Sequence, residues 1–114
     1  PAPTRKIPVL IGGGGEKKTL RFTAKHADIW HFFGTPDEMA HKLSVLDRWC
    51  DEVGRDRTEI ERSVGVGIEK GFPDARAYYE LGIRHFTFGV GGPDYDLSGL
   101  DRWLAWRDEV NTVA

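Results

Sequence analysis

The sequence predicts an α/β fold in which four parallel β-α units follow one another along the chain. Short apolar runs that end in glycine or a turn alternate four times with segments of helical periodicity. The connections are short, and such regular alternation is typical of right-handed β-α-β units with a parallel sheet. The 114 residues, 39% hydrophobic and 30% charged, suffice for one globular domain, residues 1–114.

The first unit follows a proline-rich segment, residues 1–7, that we interpret as a linker. The run Val9–Ile11 is short and wholly apolar, as expected of a strand buried on both faces. Four glycines, Gly12–Gly15, end this strand. A helix is predicted over Glu16–Ala27, because small and apolar residues recur there at helical spacing.

The second unit carries the clearest helix signals. Its strand is predicted over Asp28–Phe33. Thr35 is a good N-cap, Pro36 suits the first helical position, and Glu38 completes a capping box. Gly54 is expected to end this helix in the left-handed conformation.

The last two units have weaker signals. Thr58 and Glu61 predict a second capping box on a short turn. The remaining predicted elements are a strand over Ser63–Ile68, a helix over Asp74–Leu81 closed by Gly82, a strand over His85–Val90 and a helix over Ser98–Val110. We expect the last helix to bury Leu100, Trp103, Leu104 and Val110.

Two arrangements fit this order of elements. One is an open, doubly wound sheet with helices on both faces. The other is half of an eight-stranded (β/α)₈ barrel, whose full length is about 250 residues. Hydrophobic periodicity by itself does not decide between them.

Composition excludes several function classes. The net charge of −2 gives no reason to expect binding to nucleic acid or to an acidic membrane. No apolar run reaches the roughly 18 residues of a transmembrane helix. Cys50 is the single cysteine, so no internal disulfide forms, which fits a cytoplasmic protein. No metal-ligand spacing such as HExxH occurs, and we expect no metal site.

The strongest functional motif is IGGGGEKKTL, residues 11–20. Glycines let the backbone approach a ligand closely, and the N–H groups at a helix start form an anion site with the helix dipole. Lys17 and Lys18 add positive charge, and Thr19 offers a hydroxyl. We therefore predict phosphate binding here. The alternative is a plain connector between strand and helix.

Two better-known phosphate motifs do not match. The P-loop needs a glycine where Lys17 stands, although Gly12, Lys18 and Thr19 fit it. The dinucleotide fingerprint GxGxxG meets Lys17 or Lys18 at its last glycine, depending on its starting point. ATP and NAD sites of these types are therefore not expected.

The stretch PVLIGGGGEKKTLRFTAKHADIWHFFGTPDEMAHKL resembles the C-terminal half of luciferase-like monooxygenases, and is most similar to the branch that uses the deazaflavin coenzyme F-420. The matching features are the strand that runs into the glycines, the Lys-Thr-Leu helix start and the Ala-Asp-Ile-Trp strand. The later segments EVGRDRTEIERS and HFTFGVGGPDYD are also similar to this group. The resemblance covers nearly the whole chain.

This resemblance implies a (β/α)₈ barrel of which the chain forms the last four β-α units. It implies that the glycine-rich loop holds the cofactor phosphate through backbone N–H groups, with coenzyme F-420 as the expected cofactor and FMN as second choice. The cofactor-binding residues that we expect, from the resemblance and the loop chemistry, are Ile11, Gly12, Gly13, Gly14, Gly15, Lys18 and Thr19.

The resemblance further implies an oxidoreductase that transfers hydride between the reduced cofactor and a small organic substrate. The family's first four strands, which supply much of the ring pocket and the proton-transfer residues, are absent. Catalytic residues are therefore not assigned, and we expect this chain alone to be inactive. The alternative is a non-catalytic half-barrel that binds a phosphate-bearing ligand or a protein partner.

A half-barrel would leave two strand edges and one sheet face uncovered. We expect the inward side chains to be Val9, Ile11, Ile29 and Phe86, or their neighbours one position along. Such a face predicts a homo-oligomer or pairing with the remainder of the barrel.

Other candidate residues rank lower. His31 lies near the C-terminal end of the second strand, where barrel active sites form, but we favour a half-buried histidine bonded to backbone. Trp30, Phe32 and Phe33 can flank a cofactor ring, yet are better interpreted as core.

Arg84 and His85 open the fourth strand at the opposite end and are interpreted as structural. Residues 94–96 form either a substrate loop or a solvated turn. The helical tryptophans, Trp49, Trp103 and Trp106, are expected to pack or to lie at an interface.

Overall fold

A computed structural model describes residues 1–112 and contains one four-stranded parallel sheet. Its strands lie side by side in chain order: β1 Leu10–Gly12, β2 Ile29–Phe32, β3 Glu61–Val66 and β4 His85–Phe88. The helices are α1 Thr19–His26, α2 Pro36–Val53, α3 Ala75–Glu80 and α4 Leu100–Thr112, with short three-ten turns at Arg57–Glu59 and Phe72–Asp74. The predicted order of four parallel β-α units is confirmed.

All four helices pack on one face of the sheet. Trp30, Val64 and Phe86 share this face, because the strand register places them on the same side. α1 and α2 enclose Trp30 and Val64 in the core, and Phe86 contacts Tyr78 of α3 and Trp103 of α4. A doubly wound sheet would carry helices on both faces and reverse its strand order at a switch point. The doubly wound alternative is therefore wrong.

The opposite face, which we call the open face, carries no helix among residues 1–112. The residues that face this side follow from the register and from the alternation along each strand: Leu10, Gly12, Ile29, His31, Phe33, Glu61, Ser63, Gly65, His85 and Thr87. Ile29 lies on this face as expected. Ile11 and Phe86 instead point to the helices, so β1 and β4 present their neighbours one position along. The centre of the open face is therefore polar, with His31, Ser63 and His85 in one row.

The predicted caps of α2 are confirmed at both ends. The Glu38 backbone N–H donates to the Thr35 hydroxyl over 3.2 Å, and the Thr35 N–H donates to the Glu38 carboxylate over 2.9 Å. Gly54 ends the helix with φ 73°. The second predicted capping box is wrong: Asp56 accepts from the Thr58 N–H, and Glu61 is the first residue of β3.

Several element boundaries differ from the prediction. α1 begins at Thr19 rather than Glu16, because residues 16–18 form a turn that is closed by the Leu20 N–H bond to the Gly15 carbonyl. β3 begins at Glu61 rather than Ser63 and ends at Val66, and β4 ends at Phe88 rather than Val90. Of the four residues expected to be buried in α4, only Trp103 is, and Leu104 is 37% exposed.

Arg55 joins the end of α1 to the end of α2. Its guanidinium donates to the carbonyls of Ala24 over 3.0 Å and Ala27 over 2.8 Å, and its Nε donates to Glu59 over 2.8 Å. The side chain is only 19% exposed. The two carbonyls lie where α1 ends and have no further N–H in their own helix to accept.

Arg55→Met is expected to lower the free energy of unfolding by about 2 kcal/mol, because half-buried carbonyls lose charged donors. The matched control is Arg57→Met, since Arg57 is 46% exposed and its ion pairs with Asp47 and Asp51 lie near the surface. That control should lose less than about 1 kcal/mol. Urea unfolding of both variants measures the difference, and equal losses would contradict the capping role of Arg55.

Candidate functional site

The glycine loop, residues 13–18, follows β1 at the C-terminal edge of the sheet. Four of its consecutive carbonyls accept hydrogen bonds from other parts of the chain. The bonds are Trp30 Nε1 to Gly13 O over 2.7 Å, Lys42 Nζ to Gly14 O over 2.7 Å, Leu20 N to Gly15 O over 2.8 Å, and Trp49 Nε1 to Glu16 O over 2.7 Å. Three of these donors are side chains of β2 and α2. The loop is thus held by its carbonyl oxygens.

This arrangement determines where the loop N–H groups point. In a trans peptide the carbonyl oxygen and the next residue's N–H lie on opposite sides. Because each of these four carbonyls points toward its donor, the N–H of the next residue points away from that donor. The N–H groups concerned belong to Gly14, Gly15, Glu16 and Lys17. None of the hydrogen bonds within residues 1–112 takes up these four N–H groups. The loop therefore presents a run of free donors before a helix start, as an anion site requires.

The charged groups near the loop comprise one paired carboxylate and two exposed lysines. Lys17 and Lys18 are exposed. The Glu16 carboxylate pairs with Lys42 over 3.0 Å and with His41 over 3.2 Å. The hydrogen bond from Lys42 is the main cause that lowers the pKa of Glu16, so this carboxylate stays ionised with its charge balanced by α2. The two loop lysines therefore remain available to an anion.

The cofactor-binding residues expected from the sequence lie partly in β1 and partly in the loop and at the start of α1. Ile11 and Gly12 belong to β1, and the Gly13 N–H donates to the His31 carbonyl over 3.1 Å. Gly14 and Gly15 carry free N–H groups. Lys18 is the N-cap residue of α1, and its side chain is exposed beside the loop.

Thr19 opens α1 beside the glycines. A Cβ added at Gly15 would lie 2.8 Å from the Thr19 hydroxyl, so this hydroxyl sits directly against the loop. A Cβ at Gly14 would lie 2.8 Å from the Phe32 ring. Glycine is therefore required at both positions for close approach, whether or not a ligand is bound.

Two loop-binding residues escaped the sequence analysis. Lys42 and Trp49 are seven residues apart on α2, so they lie on one face of that helix, and both reach the glycine loop. The sequence signal was their seven-residue spacing, which places both on one face of the predicted helix. Trp30, expected as core, is fully buried and also binds the loop.

A shallow cleft of about 510 Å³ lies along the C-terminal edge of β3 and β4. Phe33 forms one wall and is 70% exposed, so the expectation that it is a core residue is wrong. Its ring lies over Gly65, where any Cβ would collide with it. Thr87 and Phe88 line the other side. The glycine loop and this cleft thus open at the same edge of the sheet.

His31 is half-buried on the open face. Its Nδ1 lies 2.7 Å from the Ser63 hydroxyl oxygen. The expected burial is confirmed, but the expected backbone partner is wrong, because the partner is a side chain. Burial is the main cause that lowers the pKa of His31, and the neighbouring His85 adds to it. The Nδ1 of His85 is buried and has no hydrogen-bond partner among residues 1–112.

Arg84, Tyr95 and Asp96, which ranked lower in the sequence, make contacts typical of residues that support the fold. Arg84 lies over the Tyr79 ring at 3.7 Å and donates to the Tyr79 carbonyl over 2.6 Å. Tyr95 is 63% exposed with φ 49°, and Asp96 accepts from the Ser98 N–H over 2.9 Å, as in a solvated turn.

Residues 1–112 contain neither a cluster of side chains suited to a metal ion nor a helix suited to span a membrane. No group of three or more His, Cys, Asp or Glu side chains is placed to hold a metal ion. No helix within residues 1–112 is both long enough and apolar enough to cross a bilayer.

Comparison with known proteins relates the chain to a sequence family. The sequence model of luciferase-like monooxygenases matches residues 1–106. Uncharacterized proteins of Mycobacterium bovis and Mycobacterium tuberculosis are 39% identical to this chain over 56 residues. That match covers 48% of the chain and 19% of each relative, so the matched segment spans about a fifth of those proteins.

Proposed function

The chain belongs to the luciferase-like monooxygenase family, and from this premise we propose that it is the cofactor phosphate-binding half of a flavin-type oxidoreductase. The whole protein would transfer hydride between a reduced cofactor and a small organic substrate. We infer that the sheet is the second half of a (β/α)₈ barrel. The sequential strand order, the helices on one face and the two free sheet edges support this inference.

The observation that carries the proposal is the run of free N–H groups from Gly14 to Lys17, held outward by four tied carbonyls. A phosphate fits this loop, because it can accept several N–H bonds and gains from the helix start and from two lysines. The Thr19 hydroxyl lies beside the same loop.

When bound, the flavin-type cofactor supplies the hydride chemistry. The chain's own residues would bind its phosphate at the glycine loop and form one wall of the ring site at the cleft beside Phe33. We propose coenzyme F-420 as the cofactor, on the resemblance of the glycine loop and following strand, with FMN as second choice.

Lys18→Gln is expected to weaken FMN and F-420 binding about three- to tenfold, because it removes one charged partner of the phosphate. Lys25→Gln is the matched control, since Lys25 lies on the same helix, is exposed and stands at the far end. It should leave both affinities unchanged. Fluorescence titration measures them.

Riboflavin, which has the same ring as FMN and no phosphate, sharpens this test. It should bind more weakly than FMN and should not respond to Lys18→Gln. Equal affinity for FMN and riboflavin would contradict phosphate binding by the loop. Gly14→Val is not a clean probe, because its Cβ would strike Phe32 regardless of any ligand.

The alternative function, a non-catalytic half-barrel that binds a phosphate-bearing ligand, uses the same loop. Ribose 5-phosphate separates the two proposals. If the ring site contributes, FMN should bind much more tightly than ribose 5-phosphate. If the chain binds only phosphate groups, the two affinities should be similar.

A further inference from the structure

One row of the open face runs from the glycine loop across the sheet. Gly12, His31, Ser63 and His85 lie in register on β1 to β4, and their side chains share that face. Gly12 has no side chain, so nothing on β1 in this row separates His31 from the glycine loop. A ligand whose phosphate is held by the loop can therefore extend over Gly12 to His31.

The buried serine determines the tautomer of His31. Ser63 is fully buried, and its hydroxyl has one partner among residues 1–112, the Nδ1 of His31 at 2.7 Å. If Nδ1–H donated to the hydroxyl, the serine hydrogen would be buried without an acceptor. If the serine donates to Nδ1, no polar hydrogen is stranded. The imidazole proton then resides on Nε2.

The surroundings also keep this imidazole neutral. Burial disfavours the charged form, and His85 in the same row disfavours it further, so the pKa of His31 is lowered. Nε2 makes no hydrogen bond within residues 1–112 and is not among the buried polar atoms without partners, so it remains accessible. A neutral imidazole with its proton on Nε2 donates a hydrogen bond and does not act as a base at that atom.

We propose that His31 is a ligand-binding residue that donates its Nε2–H to an acceptor oxygen in the body of the phosphate-bearing cofactor, and that Ser63 is the positioning residue that holds the tautomer. The acceptor is a hydroxyl or carbonyl oxygen one or a few bonds beyond the phosphate, as in a phosphate–polyol–ring molecule. The identity of the ligand rests on the proposed function. The tautomer rests only on the His31–Ser63 contact.

The tautomer is tested by nitrogen NMR of the full chain with ¹⁵N-labelled histidine at neutral pH. His31 should show a protonated Nε2 and an unprotonated Nδ1 that accepts a hydrogen bond. In Ser63→Ala the Nδ1 signal should lose the shift of a hydrogen-bonded acceptor, and the two tautomers should mix. A protonated Nδ1 in the wild type overturns the positioning role of Ser63.

The ligand contact is tested by titration with FMN and with inorganic phosphate. His31→Phe should weaken FMN binding about fivefold or more, since the hydrogen-bond donor to the ligand is lost, and should leave phosphate binding unchanged. His31→Gln can place an N–H near the position of Nε2 and should retain most of the FMN affinity. Circular dichroism confirms that each variant is folded.

The outcomes separate this inference from the proposed function. If His31→Phe binds FMN as tightly as the wild type while Lys18→Gln weakens it, the contact with His31 is overturned and the loop assignment stands. If neither FMN nor phosphate binds the wild type, the loop assignment and the ligand contact both fail, and the NMR result alone decides the tautomer.

Discussion

Trp30→Ala is expected to lower the free energy of unfolding by about 3–5 kcal/mol. Trp30 is fully buried between the sheet and the helices, and its indole N–H binds the Gly13 carbonyl over 2.7 Å. Alanine would leave a large cavity and an unpaired carbonyl. Since small domains have about 5–15 kcal/mol of stability, the variant should be largely unfolded under mild denaturant.

Trp30→Phe separates the two contributions in large part, because it keeps a smaller aromatic ring in the core and removes the N–H donor. It should lower the free energy of unfolding by about 1–3 kcal/mol. It should also weaken FMN binding, because the released Gly13 carbonyl no longer turns the Gly14 N–H outward. Trp106→Phe is the matched control, since Trp106 is half-buried in α4 and makes no contact with the loop. A folded Trp30→Phe variant with unchanged FMN affinity would contradict the role of the tied carbonyls.

The purified 114-residue chain is expected to self-associate at micromolar concentration and to show no turnover with reduced F-420 or FMN. Leu10 on β1 is 53% exposed, and Ile7 and Val9, just before this strand, are 60% and 47% exposed; Phe33, at the C-terminal edge of the sheet, is 70% exposed. Burying such a side chain fully contributes about 1.5–3 kcal/mol. The unpaired edges of β1 and β4 add backbone groups that can pair with a second chain.

The association part is checked by light scattering on the wild type and two lysine variants. Leu10→Lys places a charge on the open face at an edge strand and should shift the chain toward the monomer. Phe22→Lys is the matched control, because Phe22 is similarly exposed, at 48%, but lies on α1 on the helical side. A wild-type chain that is monomeric at micromolar concentration would contradict association through the open face.

The absence of turnover follows from how little of the cofactor this chain surrounds. A ring in the cleft beside Phe33 would be covered from one side only, so water would reach it and compete with the reaction. His31, the titratable group nearest the loop on this face, is neutral and carries its proton on the atom that faces the ligand. Any measurable turnover by the purified chain would show that the catalytic groups lie within these residues.

Local sequence signals predicted the elements well where short-range hydrogen bonds determine them. The Thr35–Glu38 capping box and the left-handed Gly54 each depend on residues within one turn, so the sequence was sufficient for both. The apolar runs gave the four strands and their order. The prediction at Thr58 and Glu61 was wrong, because Glu61 pairs with Ile29 across the sheet, a partner 32 positions away in the chain.

The sequence by itself thus determined four parallel β-α units, the two ends of α2 and a glycine loop with the composition of an anion site. Only the tertiary structure decided which way that loop faces. Its carbonyls are tied by Trp30, Lys42 and Trp49, which lie between 17 and 33 residues along the chain from their partners. The His31–Ser63 pair likewise forms because two strands adopt one register, so that residues 32 positions apart become neighbours. Register results from how the helix-facing side chains pack, and a one-residue slip would move the row to the other face.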